Sequence, residues 1–197
     1  KSSENIIKFL IKKKSKPKWF FFASTSHVYK IFSYHKLISE KNSIQPSTKY
    51  GKTKYLAEQK ILKYKNKLNI CIGRIFSFTD KSQKSTYVVP AIKKKINQKK
   101  KVIYFDNIDH HRDFLSTKKI SKIIYNLYSK KKTGIYNIGS GYSTSLLKLV
   151  KYYALKKNKR IIISKNKPTF LIANNSKLKK LGIKFNKLSF NKILDEK

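Results

Sequence analysis

Methionine is absent from the sequence, and cysteine, proline and glycine are scarce. The absence of methionine leads us to expect that Lys1 is not the natural first residue. The single cysteine, Cys71, cannot form a disulfide within the chain, which favours a reducing, cytoplasmic location. No apolar run approaches the roughly 20 residues that cross a bilayer, so we expect no membrane partner.

Acidic residues are scarce too, since nine Asp and Glu stand against 48 Lys and Arg, for a formal net charge of +39. This balance predicts attraction to nucleic acid or to anionic surfaces. Only three of the cations are arginines, however, and surfaces that read bases or clamp phosphates favour the arginine fork. The abundance of residues with A/T-rich codons instead indicates a compositional bias of the genome, with lysines on solvated faces. A nucleic-acid or anionic-surface binding module is therefore kept as the alternative function.

Two common kinds of site are missing from the sequence. The segment Gly139-Ser-Gly141 lacks the third glycine and the later acidic residue of a dinucleotide-binding turn. The pyrophosphate half of such a site therefore cannot be built from these residues. His110 and His111 are adjacent, and neighbouring side chains diverge on a strand or a helix, which disfavours a shared metal ion. We expect no metal site.

What the sequence does contain is an alternation of helical and extended patterns, which predicts an α/β fold. Ser2–Lys14 has apolar residues at helical spacing, and Lys18–Ser24 is a continuous apolar run typical of a buried parallel strand. A capped helix over residues 47–59 and a second parallel strand at Leu68–Phe78 follow. The other predicted elements are a long loop at Tyr29–Ser47, a helix from Val88, a strand at Val102–Phe105, a helix at Ile120–Tyr128, a strand and turn at Gly134–Gly141, a helix at Ser143–Ala154, a strand at Arg160–Ser164 and a helix at Asn175–Leu181.

The pair of residues best suited to chemistry is Tyr50 and Lys54, which share one face of the predicted helix at a spacing of i, i+4. A phenol ordinarily has a pKa of about 10, so it needs a fixed cation nearby to act as a base near neutral pH. Lys54 is placed to be that cation. Thr25 follows the preceding strand, and open α/β sheets bind ligands at the carboxyl ends of their strands.

The residues around this pair resemble the extended short-chain dehydrogenase/reductase family, whose members include sugar-nucleotide epimerases and dehydratases that bind a nicotinamide cofactor. The family pattern is a strand, Ser-Ser/Thr-x-x-Val-Tyr-Gly and then Pro-x-Ser-x-Tyr-Gly-x-Ser-Lys-x-x-x-Glu. The residues that match it in register are Ser24, Thr25, Val28, Tyr29, Pro46, Tyr50, Gly51, Lys54 and Glu58. Later matches to family segments are Arg74, Phe76, Arg112-Asp-Phe and Tyr136–Gly141.

The resemblance implies the C-terminal part of a Rossmann-like, doubly wound parallel sheet and a small α/β substrate-binding portion. Residues 1–80 would form the second half of the NAD(P)-binding domain. Residues 81–197 would form mainly the substrate-binding portion, with 134–141 able to return to the sheet. Because the resemblance covers only the later two thirds of a family member, we expect a fragment of a larger enzyme, with an inactive relic as an alternative.

The resemblance also implies roles at the catalytic centre. Tyr50 would exchange a proton with a sugar hydroxyl, and Thr25 would orient that oxygen. Tyr50 and Lys54 would also contact the cofactor, NAD or NADP, with Lys54 at the nicotinamide ribose. Phe76 is a further expected cofactor contact.

The expected substrate is a nucleotide-diphosphate sugar, acted on by an epimerase or a reductase. Thr25, Ser77 and Arg112 are the expected substrate-binding residues, with Ser77 in place of the usual Asn and Arg112 gripping the diphosphate. A 4,6-dehydratase is less expected, because that subgroup has Thr-Asp-Glu where this chain has Thr25-Ser26-His27. His27 adjoins the expected active site and could touch the substrate, although a packing or supporting role is the more expected one. Relatives that pair through the Tyr-Lys helix suggest a homodimer.

Overall fold

The computed structural model describes residues 2–13, 17–164 and 166–194, so Lys1 and the predicted helix end at Lys14 lie outside the described residues. The helices are α1 (Ser2–Lys12), α2 (Lys49–Leu62), α3 (Val88–Ile96), α4 (Thr117–Ser129), α5 (Leu146–Lys156), α6 (Ser176–Lys179) and α7 (Phe190–Leu194). The strands are β1 (Phe20–Thr25), β2 (Leu37–Ile38), β3 (Ile70–Ile75), β4 (Ser77–Thr79), β5 (Val102–Phe105), β6 (His110–Arg112), β7 (Phe114–Ser116), β8 (Gly134–Ile138), β9 (Thr144–Ser145), β10 (Arg160–Ile163) and β11 (Thr169–Ala173). Within the described part of the chain, no helix is both long enough and apolar enough to cross a bilayer.

The central sheet has three parallel strands in the order β1-β3-β8. Phe20 lies opposite Ile70 and Thr25 opposite Ile75, and β8 continues the same register on the other side of β3. Such continuous apolar strands are stable in water only when both faces of the sheet are covered. Among the described residues β1 pairs with β3 alone, so the outer edge of β1 has no neighbouring strand.

Helices cover both faces of this sheet. On one face, Ile7 of α1 and Ile61 of α2 pack with Ile72 of β3, and all three side chains are fully buried. On the other face, Cys71 packs in a cluster with Ile123 of α4. The side chains of the neighbouring residues Cys71 and Ile72 thus project from opposite faces of the sheet, as the pleat of a strand requires. Burial of each large apolar side chain contributes about 1.5–3 kcal/mol.

A third cluster joins elements of the second half of the chain. The parallel pair β5 and β10 contributes Ile103, and the helices α3 and α5 contribute Ile92, Leu149 and Tyr153. This cluster lies apart from the central sheet and gives the later residues a core of their own. The boundary between residues 1–80 and 81–197 remains a prediction.

The structure departs from the predicted elements in several places, and the short elements β6, β7, β9 and α7 were not predicted at all. The single strand expected at Leu68–Phe78 is divided into β3 and β4, because the chain leaves the central sheet after Ile75 and β4 pairs with β7. The expected loop at Tyr29–Ser47 contains β2, which pairs with β11. The sequence pattern does not indicate β11, which is a short apolar run that directly follows Pro168. Proline restricts the residue before it but permits a strand to begin after it.

Candidate active site

A pocket of about 730 Å³ opens at the carboxyl ends of β1 and β3. All six residues expected to bind or transform ligands line it, namely Thr25, Tyr50, Lys54, Phe76, Ser77 and Arg112. They come from β1, α2, the β3–β4 segment and β6, which are up to 87 positions apart in sequence. The fold therefore brings every sequence-predicted site residue to one cavity.

Tyr50 and Lys54 lie in the first turns of α2. Thr48 caps this helix, since its Oγ1 accepts a hydrogen bond of 3.0 Å from the backbone N–H of Gly51. The Tyr50 side chain is 56% exposed, and Nζ of Lys54 lies 5.9 Å from the centroid of its ring. The same Nζ donates a 2.8 Å hydrogen bond to the carbonyl oxygen of Ala23. Partial burial lowers the pKa of Lys54.

Gly51 allows α2 to approach the end of β1 closely. A Cβ atom at this position would lie 2.3 Å from the carbonyl oxygen of His27, which is much closer than any real Cβ contact. His27 belongs to the 3₁₀ turn Ser26–Val28 that directly follows β1. The absence of a side chain at Gly51 therefore allows the start of α2, with Tyr50, to lie directly against the turn.

Thr25 is the last residue of β1 and is only 5% exposed. Its Oγ1 accepts a 3.3 Å hydrogen bond from the backbone N–H of His27. This bond uses a lone pair of the hydroxyl and leaves its hydrogen free to donate. Thr25 can therefore donate a hydrogen bond to an oxygen atom bound in the pocket.

Arg112 is a half-buried cation without a carboxylate partner among the described residues. Its Nη1 donates to the carbonyl oxygen of His111 at 2.9 Å and to the carbonyl oxygen and Oγ1 of Thr169, both at 3.1 Å. Burial lowers the pKa of Arg112 to about 10. A guanidinium that is partly removed from water and not paired with an anion is stabilised when an anion enters the pocket.

A buried ion pair lies behind the pocket and joins α2 to the sheet. Glu58 is fully buried, and its Oε2 accepts a 2.6 Å hydrogen bond from Nη2 of Arg74. Arg74 also donates to the hydroxyl of Tyr29 at 2.9 Å, and Ser24 donates to the Glu58 carboxylate. The Tyr29 hydroxyl in turn donates to Oδ1 of Asn137 at 2.7 Å. Burial raises the pKa of Tyr29 to about 12, so this phenol remains a donor.

Phe76 and Ser77 contribute to the pocket in different ways. Phe76 is 3% exposed, and its ring packs 6.3 Å from that of Tyr29, so most of the side chain belongs to the core. Only a small part of it can touch a cofactor. Ser77 is half-buried and presents a hydroxyl where the resemblance has an amide.

Several pocket residues could not be identified from the sequence pattern as site residues. His110 and Tyr87 line the pocket but are not among the sequence-predicted site residues, whereas His27, which also lines it, directly follows the predicted site at Thr25 in sequence. The partnership of Glu58 and Arg74 was also hidden, although Glu58 is the only acidic residue of α2 and follows Lys54 by four positions on the same face. A single carboxylate on the helix face that carries Tyr50 and Lys54 is the sequence signal that could have indicated the buried ion pair.

The histidines do not form a metal site in the described part of the chain, where no group of three candidate ligands occurs. His110 and His111 instead hydrogen bond through Nδ1 to Thr169 and to Ser143, each at 2.9 Å. His111 also stacks on the ring of Phe170 at 4.4 Å.

Comparisons with known proteins identify a protein family and several similar folds. Residues 5–191 match the protein-family model described as GDP-mannose 4,6 dehydratase. A curated relative, the GDP-6-deoxy-D-talose 4-dehydrogenase of Aggregatibacter actinomycetemcomitans, is 33% identical over 107 residues. That segment is 54% of this chain and 36% of the relative, so the match spans about a third of the relative's length.

Two solved structures share the fold. RMD from Pseudomonas aeruginosa, complexed with NADPH, has a TM-score of 0.84 and 18% identity over 98% of this chain and 69% of RMD. UDP-glucuronic acid 4-epimerase from Bacillus cereus, in complex with UDP-glucuronic acid and NAD, has a TM-score of 0.80 and 22% identity over 98% of this chain and 63% of the epimerase. These similarities confirm the expected Rossmann-like α/β fold.

The local patterns at Thr25, Tyr50 and Lys54 and the family match point to the same group of enzymes. Because that match extends from residue 5 to residue 191, this chain belongs to the NAD-dependent epimerase/dehydratase branch of the extended short-chain dehydrogenase/reductase family.

Proposed function

We propose that the chain carries the Tyr-Lys part of a nucleotide-sugar epimerase or reductase that works by hydride transfer at a sugar carbon. The observation that carries the proposal is the single pocket that Thr25, Tyr50, Lys54 and Arg112 line together. The names of the relatives support the substrate class, since one is a GDP-sugar 4-dehydrogenase and another is complexed with UDP-glucuronic acid and NAD.

The pocket fits the nicotinamide end of NAD or NADP. Lys54 offers an ammonium at the carboxyl end of β1, where the ribose hydroxyls of the cofactor could accept its hydrogen bonds, and Phe76 offers a small apolar surface. The bound cofactor would accept or return hydride at the sugar carbon. The 197 residues contain no glycine-rich turn for the pyrophosphate, so they account for the nicotinamide end of the site alone.

Tyr50 would take the proton of the sugar hydroxyl as the carbon is oxidised and return it in the reverse direction. The ammonium of Lys54 lies 5.9 Å from the centroid of the Tyr50 ring, where its charge would stabilise negative charge that develops in this step. Thr25 would donate its free hydroxyl hydrogen to the same sugar oxygen. Because Gly51 lets α2 pack directly against the turn after β1, these groups lie close together without ligand.

Arg112 would bind the diphosphate of the nucleotide. Its guanidinium lines the pocket and has no carboxylate partner among the described residues, and the two phosphate groups would supply the negative charge to pair with it. Ser77 would add a hydroxyl contact to the substrate. No Asp or Glu lines the pocket within the described chain, so elimination of water, as in a dehydratase, lacks a carboxylic acid catalyst.

The proposal is tested by supplying GDP-, UDP- and dTDP-sugars with NAD or NADP and following absorbance of the reduced nicotinamide. Tyr50→Phe should lower turnover by about 10²- to 10⁴-fold, the usual contribution of a general acid or base. Tyr55→Phe on the same helix is the matched control and should leave turnover near its original value. Full turnover in Tyr50→Phe would contradict the proposal. DNA binding that falls steeply with salt and ignores Tyr50→Phe would favour the basic binding module.

A homodimer and a cytoplasmic location remain predictions. α2 exposes 62% of Leu56, and an apolar side chain on the Tyr-Lys helix suits contact with a second copy. Light scattering on the protein as it elutes from a size-exclusion column measures its mass in solution. A dimer mass that falls to the monomer mass in Leu56→Lys would support the homodimer, and a monomer mass for the unaltered protein would contradict it.

A further inference from the structure

His27 differs from the other histidines of the pocket region in its surroundings. His110 and His111 each have a ring nitrogen bound to a hydroxyl, whereas the described residues supply no hydrogen-bond partner to either ring nitrogen of His27. The imidazole is half-buried and lines the pocket with Thr25 and Tyr50. A half-buried ring whose nitrogens have no protein partner is available to a ligand.

The backbone fixes His27 in the same rigid unit as the reactive pair. Its N–H donates to Oγ1 of Thr25 at 3.3 Å, and its carbonyl oxygen lies under Gly51 of α2. The ring meets that of Tyr50 edge to face, with centroids 6.3 Å apart. A sugar whose carbinol oxygen lies between Thr25 and Tyr50 would therefore have a neighbouring carbon beside His27.

We propose that His27 is a general base for the C–H bond next to the oxidised sugar carbon, an inference that rests on the proposed function. Oxidation of the carbinol gives a ketone, and a ketone acidifies the adjacent C–H bonds. A ring nitrogen of His27 takes that proton, the electrons of the C–H bond form the enolate C=C bond, and the carbonyl π electrons move to the oxygen. Thr25 and Tyr50 donate hydrogen bonds to the enolate oxygen. Return of a proton to either face restores the ketone, so the step needs no oxidant or reductant.

The composition of the pocket favours this role. Its lining includes no carboxylate in the described chain, so histidine is the residue type present that is neutral and basic near neutral pH. Burial lowers the pKa of His27, and the charge of Arg112 acts in the same direction. The other titratable groups that line the pocket are Tyr50, Lys54, Tyr87, His110 and Arg112. An imidazole held neutral in this way can accept a proton from carbon.

The test supplies the ketone directly, so that no redox step is needed. The protein is mixed in D₂O with a GDP-4-keto-6-deoxyhexose, the product that 4-dehydrogenation of a GDP-6-deoxy sugar gives. Proton NMR follows deuterium uptake at the carbons next to the ketone, and calorimetry measures binding. His27→Gln should lower exchange by about 100-fold or more while binding changes less than about threefold. His111→Gln, a histidine outside the pocket lining, is the matched control and should retain exchange.

The outcomes separate this inference from the function on which it rests. Exchange that persists in His27→Gln, or that is lost in His110→Gln instead, overturns the role of His27. Binding without exchange in the unaltered protein also overturns it and leaves the proposed function intact. Failure of the ketone and of nucleotide sugars to bind refutes both. If His27→Gln does not fold, the pH profile of the unaltered protein decides. Exchange should reach its plateau below pH 7, and a rate that still rises above pH 9 would assign the base to Tyr50 or Lys54.

Discussion

Removal of Glu58 should destabilise the protein more than any single change at its surface. Glu58 is 0% exposed and Arg74 is 3% exposed, so Glu58→Ala leaves a buried guanidinium without its counterion. The substitution also removes the acceptor of three hydrogen bonds from Arg74 and of one from Ser24. Breaking one side of a buried ion pair typically costs about 3–5 kcal/mol. We expect a decrease of that size in the free energy of unfolding, measured by urea titration with Trp19 fluorescence and far-UV circular dichroism.

A double substitution shows whether the cost comes from the unpaired charge. Glu58→Leu with Arg74→Met replaces the pair by apolar side chains of similar size, and such replacements are often neutral or stabilising. The double variant should therefore be clearly more stable than Glu58→Ala. Glu4→Ala, which removes a partly exposed carboxylate that contacts Lys8 and Lys60 at the surface, is the control and should have little effect. A loss below about 1 kcal/mol in Glu58→Ala, or a double variant as unstable as the single one, would refute the reasoning.

Three other changes test the site and the fold. Arg112→Leu should weaken binding of a nucleoside diphosphate about 10- to 100-fold in calorimetry, because it removes charge-assisted hydrogen bonds worth about 1.5–3 kcal/mol. Arg160→Leu, at an exposed position of β10, is the control and should leave binding unchanged. Equal loss in both variants would indicate nonspecific attraction. Gly51→Ala should lower turnover and also cost about 1–3 kcal/mol of stability, because its Cβ would lie 2.3 Å from a carbonyl oxygen; unchanged melting and turnover would contradict the close approach. Hydrogen bonds from Thr117 and Ser82 lower the pKa of Asp80 to about 2, so its stabilising contribution is present above about pH 4 and is lost as the pH falls toward 2. In Asp80→Asn the melting temperature should therefore fall less between about pH 4 and pH 2 than in the unaltered protein, and an equal fall in both would refute this.

The sequence predicts the reactive pair well because its geometry is local. Tyr50 and Lys54 lie on one helix, and the spacing alone places them on one face. Thr25 follows from the rule that ligands bind at the carboxyl ends of parallel strands. Arg112 is 58 positions beyond Lys54, and its assignment depended on resemblance because no local pattern links β6 to α2.

The parts that could not be predicted depend on contacts between distant segments. The pairing of Glu58 with Arg74 requires α2 to pack on β3, and helix packing is not encoded in either segment alone. Phe76 is a different case: the family pattern predicted it as a cofactor contact, but the structure shows that most of its side chain is buried in the core. The strand β11 was hidden because it forms only where β2 and β6 provide partners on both sides.

The one-sided pairing of β1 has a practical consequence for handling the protein. Its outer edge presents unpaired backbone N–H and C=O groups along a strand that contains Phe20, Phe21 and Phe22. Edges of this kind recruit strands from other molecules. The net charge of +39 makes copies of the chain repel one another at low ionic strength, and salt screens that repulsion beyond the Debye length, which is about 3 Å at 1 M. Concentrated, high-salt samples of this chain should therefore self-associate through β1, whereas dilute, low-salt samples should stay dispersed.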